Sequence, residues 1–267
     1  MLGQRILTAV GLVGVLALVL LVLPSDFAVA ALALLILVGA WEWALLAGLR
    51  ATALRSAYVI AGAVAMFAMW QATVQLVDFE RVMFLTMLGW IPLFGWIVLA
   101  PRRRAIALAA IAGLWALVPT WLALSRLYLQ EGNGRELVVF VLLLAWAADI
   151  GAYFAGRRFG RFRLAPVVSP NKTWEGVLGG LAAGFLVALA GRAWFDLPAL
   201  AFLSLCIAAV LVSVVGDLLE SMFKRQSGLK DSGSLLPGHG GMLDRIDSLT
   251  SSVPLLALGL GWLGLVA

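Results

Sequence analysis

The chain has one cysteine, Cys206, and one histidine, His239, among 267 residues. Cys206 lies inside an apolar run, so no disulfide framework exists. With no second histidine and no cysteine partner, zinc-ligand spacing is absent as well. Charge is scarce: 12% of residues are Asp, Glu, Lys or Arg, against about a quarter in globular chains. Apolar residues make up 63%, and the mean hydropathy is +1.05. A water-soluble fold cannot hide that much apolar surface, so the chain reads as an all-α, polytopic integral membrane protein. No internal repeat and no low-complexity linker divides it. It reads as a single membrane domain over 1–267, with a simple apolar part over 1–136 and a part over 137–267 that gathers the polar residues.

A helix needs about 20 apolar residues to cross the hydrocarbon. Nine stretches qualify: 6–24, 27–48, 57–77, 82–100, 105–126, 137–156, 176–195, 199–220 and 248–267. Ala28-Val29-Ala30 imitates a signal-peptidase site, but the first apolar run is longer than a signal-peptide core, which favours a retained helix. Pro92 and Pro119 fall inside spans and are expected to kink them. With the N-terminus in the cytoplasm, only Arg81, Arg126, Arg135 and Arg192 lie outside. Every other cation, from Arg5 to Arg245, then lies inside, as the positive-inside rule requires. That bias explains the net charge of +5 better than a nucleic-acid partner does, and none is expected. The loops 157–175 and 221–247 are placed in the cytoplasm. The compact chain suits a bacterial cytoplasmic membrane.

The segment 221–247, SMFKRQSGLKDSGSLLPGHGGMLDRID, is dense in charge between two apolar spans. Asp217, Glu220 and Ser221 share a helical face by their i, i+3, i+4 spacing. Asp244 and Asp247 form a second i, i+3 pair. Folding the loop back would bring Asp217, Asp244 and Asp247 together. Carboxylates so clustered repel unless a cation sits among them, and oxygen ligands suit magnesium with phosphates completing its shell. The plainer reading pairs Asp244 with Arg245 or Lys224 as a solvated bridge. Lys224, Arg225, Lys230 and Arg245, interleaved with acids that include Asp231, fit a metal-bound polyphosphate. Taken singly, such cations are as readily topology anchors. His239 sits among Gly238, Gly240 and Gly241, which allow close backbone approach to a ligand.

Ser169, Asn171, Lys172, Thr173 and Glu175 precede a helix whose free amides, beside a lysine, suit an anion. Plain capping by Ser169, Asn171 or Thr173 fits equally. The GxxxxGK[ST] pattern of a P-loop is missing. Asp149, within a span, suggests a site-lining or metal-supporting role, and Arg157 and Arg158 follow at the membrane surface. Glu42, between Trp41 and Trp43, reads as an interhelical hydrogen bond or ion pair rather than a catalytic group. Gly176, Gly180 and Gly184 form a stripe for close helix packing, within the chain in preference to a dimer seam.

These residues carry a resemblance. Ser221, Lys224-Arg225, Lys230-Asp231, Pro237-Gly238-His239-Gly240-Gly241 and Asp244-Arg245-Ile246-Asp247 resemble the signature of the phosphatidate cytidylyltransferase (CDP-diacylglycerol synthase) family. Gly216-Asp217-Leu218, the run Ser169–Gly176, and Asp149 with Tyr153 and Gly156-Arg157 look like it too. The resemblance covers roughly residues 145–250, and the first half matches mainly in character.

The resemblance implies transfer of the cytidylyl group of CTP to phosphatidic acid, giving CDP-diacylglycerol and pyrophosphate. It implies magnesium, with potassium as a second cation, at Asp217, Asp244, Asp247 and Asp149, and a homodimer. Lys224 and His239 join the three aspartates as catalytic candidates. Ser169, Asn171, Lys172, Thr173, Glu175, Arg157, Arg158, Ser221, Arg225, Lys230, Asp231, Gly240, Gly241 and Arg245 are the substrate-binding candidates. The alternatives are a CTP-dependent lipid (polyprenol) kinase and, from another class, a membrane transporter. The DGxxAR run of CDP-alcohol phosphatidyltransferases is absent.

Overall fold

A computed structural model describes residue 11 and residues 14–233, 235 and 240–265. Arg5 and His239 lie outside the described residues, as does much of the first expected span. Residues 14–21 are helical and are labelled α1. Then follow α2 (Ser25–Ala47), α3 (Thr52–Gln75), α4 (Phe79–Leu99), α5 (Ile106–Leu129) and α6 (Gly134–Phe159). A hairpin of β1 (Arg163–Ala165) and β2 (Ser169–Thr173) leads into α7 (Trp174–Phe195), α8 (Ala199–Ser227), α9 (Leu243–Ile246) and α10 (Leu249–Trp262).

The helices α2 to α8 include seven that are long and apolar enough to cross a membrane. The ninth expected span differs. Its helix, α10, has 14 residues, about 21 Å at 1.5 Å per residue, short of the ~30 Å hydrocarbon. Its residues from Leu249 to Pro254 are all buried, so it fills the interior.

At the centre stands α5, whose residues Ala116 to Ser125 are buried without a break. A helix apolar all round is stable only when neighbours cover it. Here α2, α3, α6 and α10 do so. Pro119 deprives this helix of one N–H. Beside it, the Thr120 hydroxyl donates to Ala116 O at 2.7 Å and also reaches Thr250 O on α10 at 3.0 Å. Outer faces, by contrast, expose large apolar side chains such as Ile60, Phe67, Ile91 and Leu186, as lipid contact requires.

Two local features depart from the sequence reading. The chain is not wholly helical: β1 and β2 pair antiparallel, with Arg163 opposite Thr173 and Ala165 opposite Ser169. Four of the five residues 169–173 carry polar side chains, so no apolar–polar alternation marks a strand there. Second, α8 does not stop at Glu220 but runs to Ser227, carrying Ser221, Lys224 and Arg225 on helix rather than loop. Gly228 ends it at φ 75°, with its N–H bonded to Arg225 O and the N–H of Leu229 to Lys224 O. Glycine takes that left-handed conformation at little cost.

The glycine stripe of α7 packs within the chain. Gly176 and Gly180 lie against the carbonyls of Ala152 and Ala148 on α6, and Gly184 against Val210 on α8.

Candidate active site

Three helices, the hairpin and α9 line a cavity of about 880 Å³. From α6 come Asp149, Tyr153 and Arg157; from β2, Asn171, Lys172 and Thr173; from α8, Asp217 and Lys224. Asp231, Asp244, Arg245 and Asp247 complete the polar wall. Residues more than 90 positions apart thus meet in one space.

Asp217 and Asp247 of this wall converge with Glu220, one carboxylate oxygen of each within 4.8 Å of the others. Glu220 is fully buried, and Asp247 is 9% exposed. Lys172 forms an ion pair with Asp217, and Ser221 Oγ donates to Asp217 Oδ1 at 3.3 Å. Asp149 joins from α6, its Oδ2 accepting from Ser248 Oγ at 3.1 Å. Burial, then the facing carboxylates of Asp217, Glu220 and Asp149, raises the Asp247 carboxyl well above its ordinary value.

Lys224 Nζ stands between two acids, 2.5 Å from Glu220 Oε2 and 2.8 Å from Asp244 Oδ1. The Asp244 side chain is 11% exposed, so this is a partly buried pair, more enclosed than the solvated bridge of the plainer reading. Its other oxygen, Oδ2, accepts from the backbone N–H of Ser232 at 3.1 Å and of Gly241 at 2.9 Å. Burial pushes the Asp244 carboxyl up. The Lys224 hydrogen bond and charge, helped by those two amides, outweigh it and hold the carboxyl below its ordinary value.

The donor set fits a hard cation. Glu220 Oε1 is buried and has no hydrogen-bond partner, and an orphaned buried carboxylate oxygen is costly unless something positive meets it. Asp217, Glu220 and Asp247 together offer oxygen ligands of the kind a divalent cation takes. Glu220 was not among the residues expected to bind metal. Its signal was present: a carboxylate one turn after Asp217 in an apolar helix. Asp244 was expected there, but both of its oxygens are engaged by Lys224 and the Ser232 and Gly241 amides.

The remaining expected residues divide. Arg157 lines the cavity and donates to Tyr153 OH at 2.8 Å. Thr173 caps α7, its Oγ1 accepting from Gly176 N at 3.1 Å. Glu175 accepts from Phe162 N, tying the hairpin to α7. Ser169 begins β2 and pairs with Ala165, away from the cavity wall. The Arg158 guanidinium lies over the Phe159 ring at 5.4 Å. Arg225 donates to Val168 O at 3.4 Å and lines a separate cavity with Arg102. Lys230 is exposed just beyond α8. Gly240, at φ 81°, and Gly241 lie against Asp244.

Comparison with known proteins places the whole chain beside named relatives. The model of the cytidylyltransferase family matches residues 3–262. A Pseudomonas aeruginosa protein named phosphatidate cytidylyltransferase is 44% identical over 277 aligned residues, covering 98% of this chain and 99% of its own. One of the same name from Haemophilus influenzae is 38% identical over 283, covering 95% and 96%. A Brucella suis protein, also so named, is 48% identical over 153 residues, or 55% of each chain. The likeness therefore extends through the apolar first half, where the motifs alone were silent, and the chain belongs to the cytidylyltransferase family.

Proposed function

We propose that this membrane protein is a phosphatidate cytidylyltransferase, transferring the cytidylyl group of CTP to phosphatidic acid to give CDP-diacylglycerol and pyrophosphate. The observation that carries the reading is the convergence of Asp217 and Asp247, with Glu220 buried beside them, at a cavity that Lys172, Lys224, Arg157 and Arg245 also line. Near-full-length relatives bearing that enzyme name support it.

An oxygen of the lipid phosphate attacks the α-phosphorus of CTP. The new phosphorus–oxygen bond forms as the bond to the β-phosphate oxygen breaks, and pyrophosphate carries away that electron pair. The lipid is itself the nucleophile, so no protein side chain needs activation. Catalysis rests on positioning and charge stabilisation. Asp217, Glu220 and Asp247 would hold magnesium, with Asp149 beside them and potassium as a second cation. Bound magnesium supplies positive charge at phosphate oxygens. Lys172 pairs with Asp217 and Lys224 with Glu220, and both serve the triphosphate. Arg157, on α6 towards the membrane surface, serves the lipid phosphate. The cavity faces the cytoplasm of a bacterial cell, where CTP is made, and the N-terminus lies on the same side. The enzyme works as a homodimer.

The test is an assay of purified protein in detergent with CTP, phosphatidic acid and magnesium. Release of pyrophosphate, with the cytidine label entering lipid, supports the reading. Release of CDP would make the protein a lipid kinase. No turnover without a gradient would favour a carrier.

A further inference from the structure

Glu42 lies in α2, far in sequence from every residue of the cavity, and is 4% exposed. A carboxylate within an apolar helix is expensive. If it served only to hold helices together, its acceptor sites would be spent on neighbouring helices. They go instead to the segment that carries the site. Glu42 Oε2 accepts from the backbone N–H of Leu243 at 2.7 Å, at the start of α9, and lies 3.0 Å from Ser232 Oγ. A Cβ added at Gly233 or Gly241 would collide with the Glu42 carboxylate, so the segment closes on this side chain through two glycines.

Ser232 extends the contact inward. Its Oγ is 3.0 Å from Glu42 Oε2 and 3.0 Å from Asp244 Oδ2. One hydroxyl thus bridges the two carboxylates. Asp244 Oδ1 accepts from Lys224 Nζ, and Lys224 also meets Glu220, one of the three converging acids. A continuous polar chain therefore runs Glu42, Ser232, Asp244, Lys224, Glu220.

We propose that Glu42 is a positioning residue for the active site: from α2 it pins Ser232 and the start of α9, and so sets where Asp244 holds Lys224. The proposal rests on the functional reading above only for its activity readout. Groups that orient the residues around a reacting centre typically matter by about 10–100-fold in activity.

The experiment compares wild type, Glu42→Gln, Ser232→Ala and the double variant, reading kcat and KM for CTP and the hydrogen exchange of residues 231–243. Expected are a kcat lowered about 10–100-fold in Glu42→Gln, a KM for CTP within about threefold, and faster exchange over 231–243 with α5 unchanged. The double variant loses no more than the worse single variant, as members of one chain should. Wild-type kcat and exchange in Glu42→Gln overturn the proposal, as do fully additive losses. If Glu42→Gln fails to accumulate, Ser232→Ala decides, since it breaks the chain from the loop side; full kcat there overturns the proposal. A wild type that makes no CDP-diacylglycerol defeats the functional reading instead, and the exchange data still judge Glu42.

Discussion

A single lysine holds the balance of charge in this site. Lys224 separates Glu220 from Asp244, and without it a buried and a partly buried carboxylate would face each other unscreened. Asp217, by contrast, combines an ion pair to Lys172 with a place among the converging acids. Asp217→Asn removes one negative charge and keeps the side chain's shape. CDP-diacylglycerol formation should fall about 100-fold or more while the protein still accumulates in the membrane; near-normal turnover would refute the cation assignment. Asp244 offers a test by pH. Its carboxyl is held below its ordinary value, chiefly by Lys224 against the opposing effect of burial. Its stabilising contribution is therefore complete above the ordinary carboxylate range and is lost as the pH falls through the lowered folded value. Asp244→Asn should flatten the acid side of a plot of melting temperature against pH, and an unchanged acid limb would refute this. Most of these residues were legible in the sequence, because a charge in so apolar a chain is conspicuous. Ser232 was not, since a serine in a polar loop looks like any other.

Among the elements, α6 and α7 owe their contact to small residues. A Cβ on Gly179 would run into Ala155 and the Gly151 carbonyl, so the two backbones touch. Gly179→Val should destabilise the protein by about 1–3 kcal/mol through overpacking, seen as a lower melting temperature in detergent, and should draw Asp149 and Lys172 apart. The end of α8 is set in the same local way. Gly228 adopts φ 75°, and alanine there should cost about 1–2 kcal/mol; a melting temperature equal to wild type would argue against that strain. The spacing of Asp217, Glu220 and Ser221 made the helical face readable. The further helical turns that carry Lys224 and Arg225 were not, because their polar side chains resemble a loop and only the C-terminal glycine marks the true end.

For the molecule as a whole, one prediction concerns sidedness. Gln226 Nε2 bonds to Pro101 O, so the α4–α5 connection and the end of α8 lie at one end of the bundle, while Gly132 lies at the other end of α5. Cys206 is fully buried and should stay silent. A membrane-impermeant thiol reagent should therefore label Gly132→Cys from outside intact cells and leave Lys230→Cys untouched until the membrane is opened. The reverse pattern would place the site on the wrong side for CTP. A second prediction concerns the reaction. A single in-line displacement should invert configuration at the α-phosphorus of a chirally labelled CTP analogue, and retention would require a covalent intermediate.

By itself the sequence determined the membrane class, the approximate spans and the identity of most acids and bases in the site. Those follow from composition and from local periodicity, which each segment carries independently of the rest. Only the tertiary structure decided that Glu220 joins Asp217 and Asp247, that Asp244 turns to Lys224, and that Glu42 reaches the polar segment from the other half of the chain. Those pairings depend on distances between side chains remote in sequence, and such distances exist only once the helices have packed.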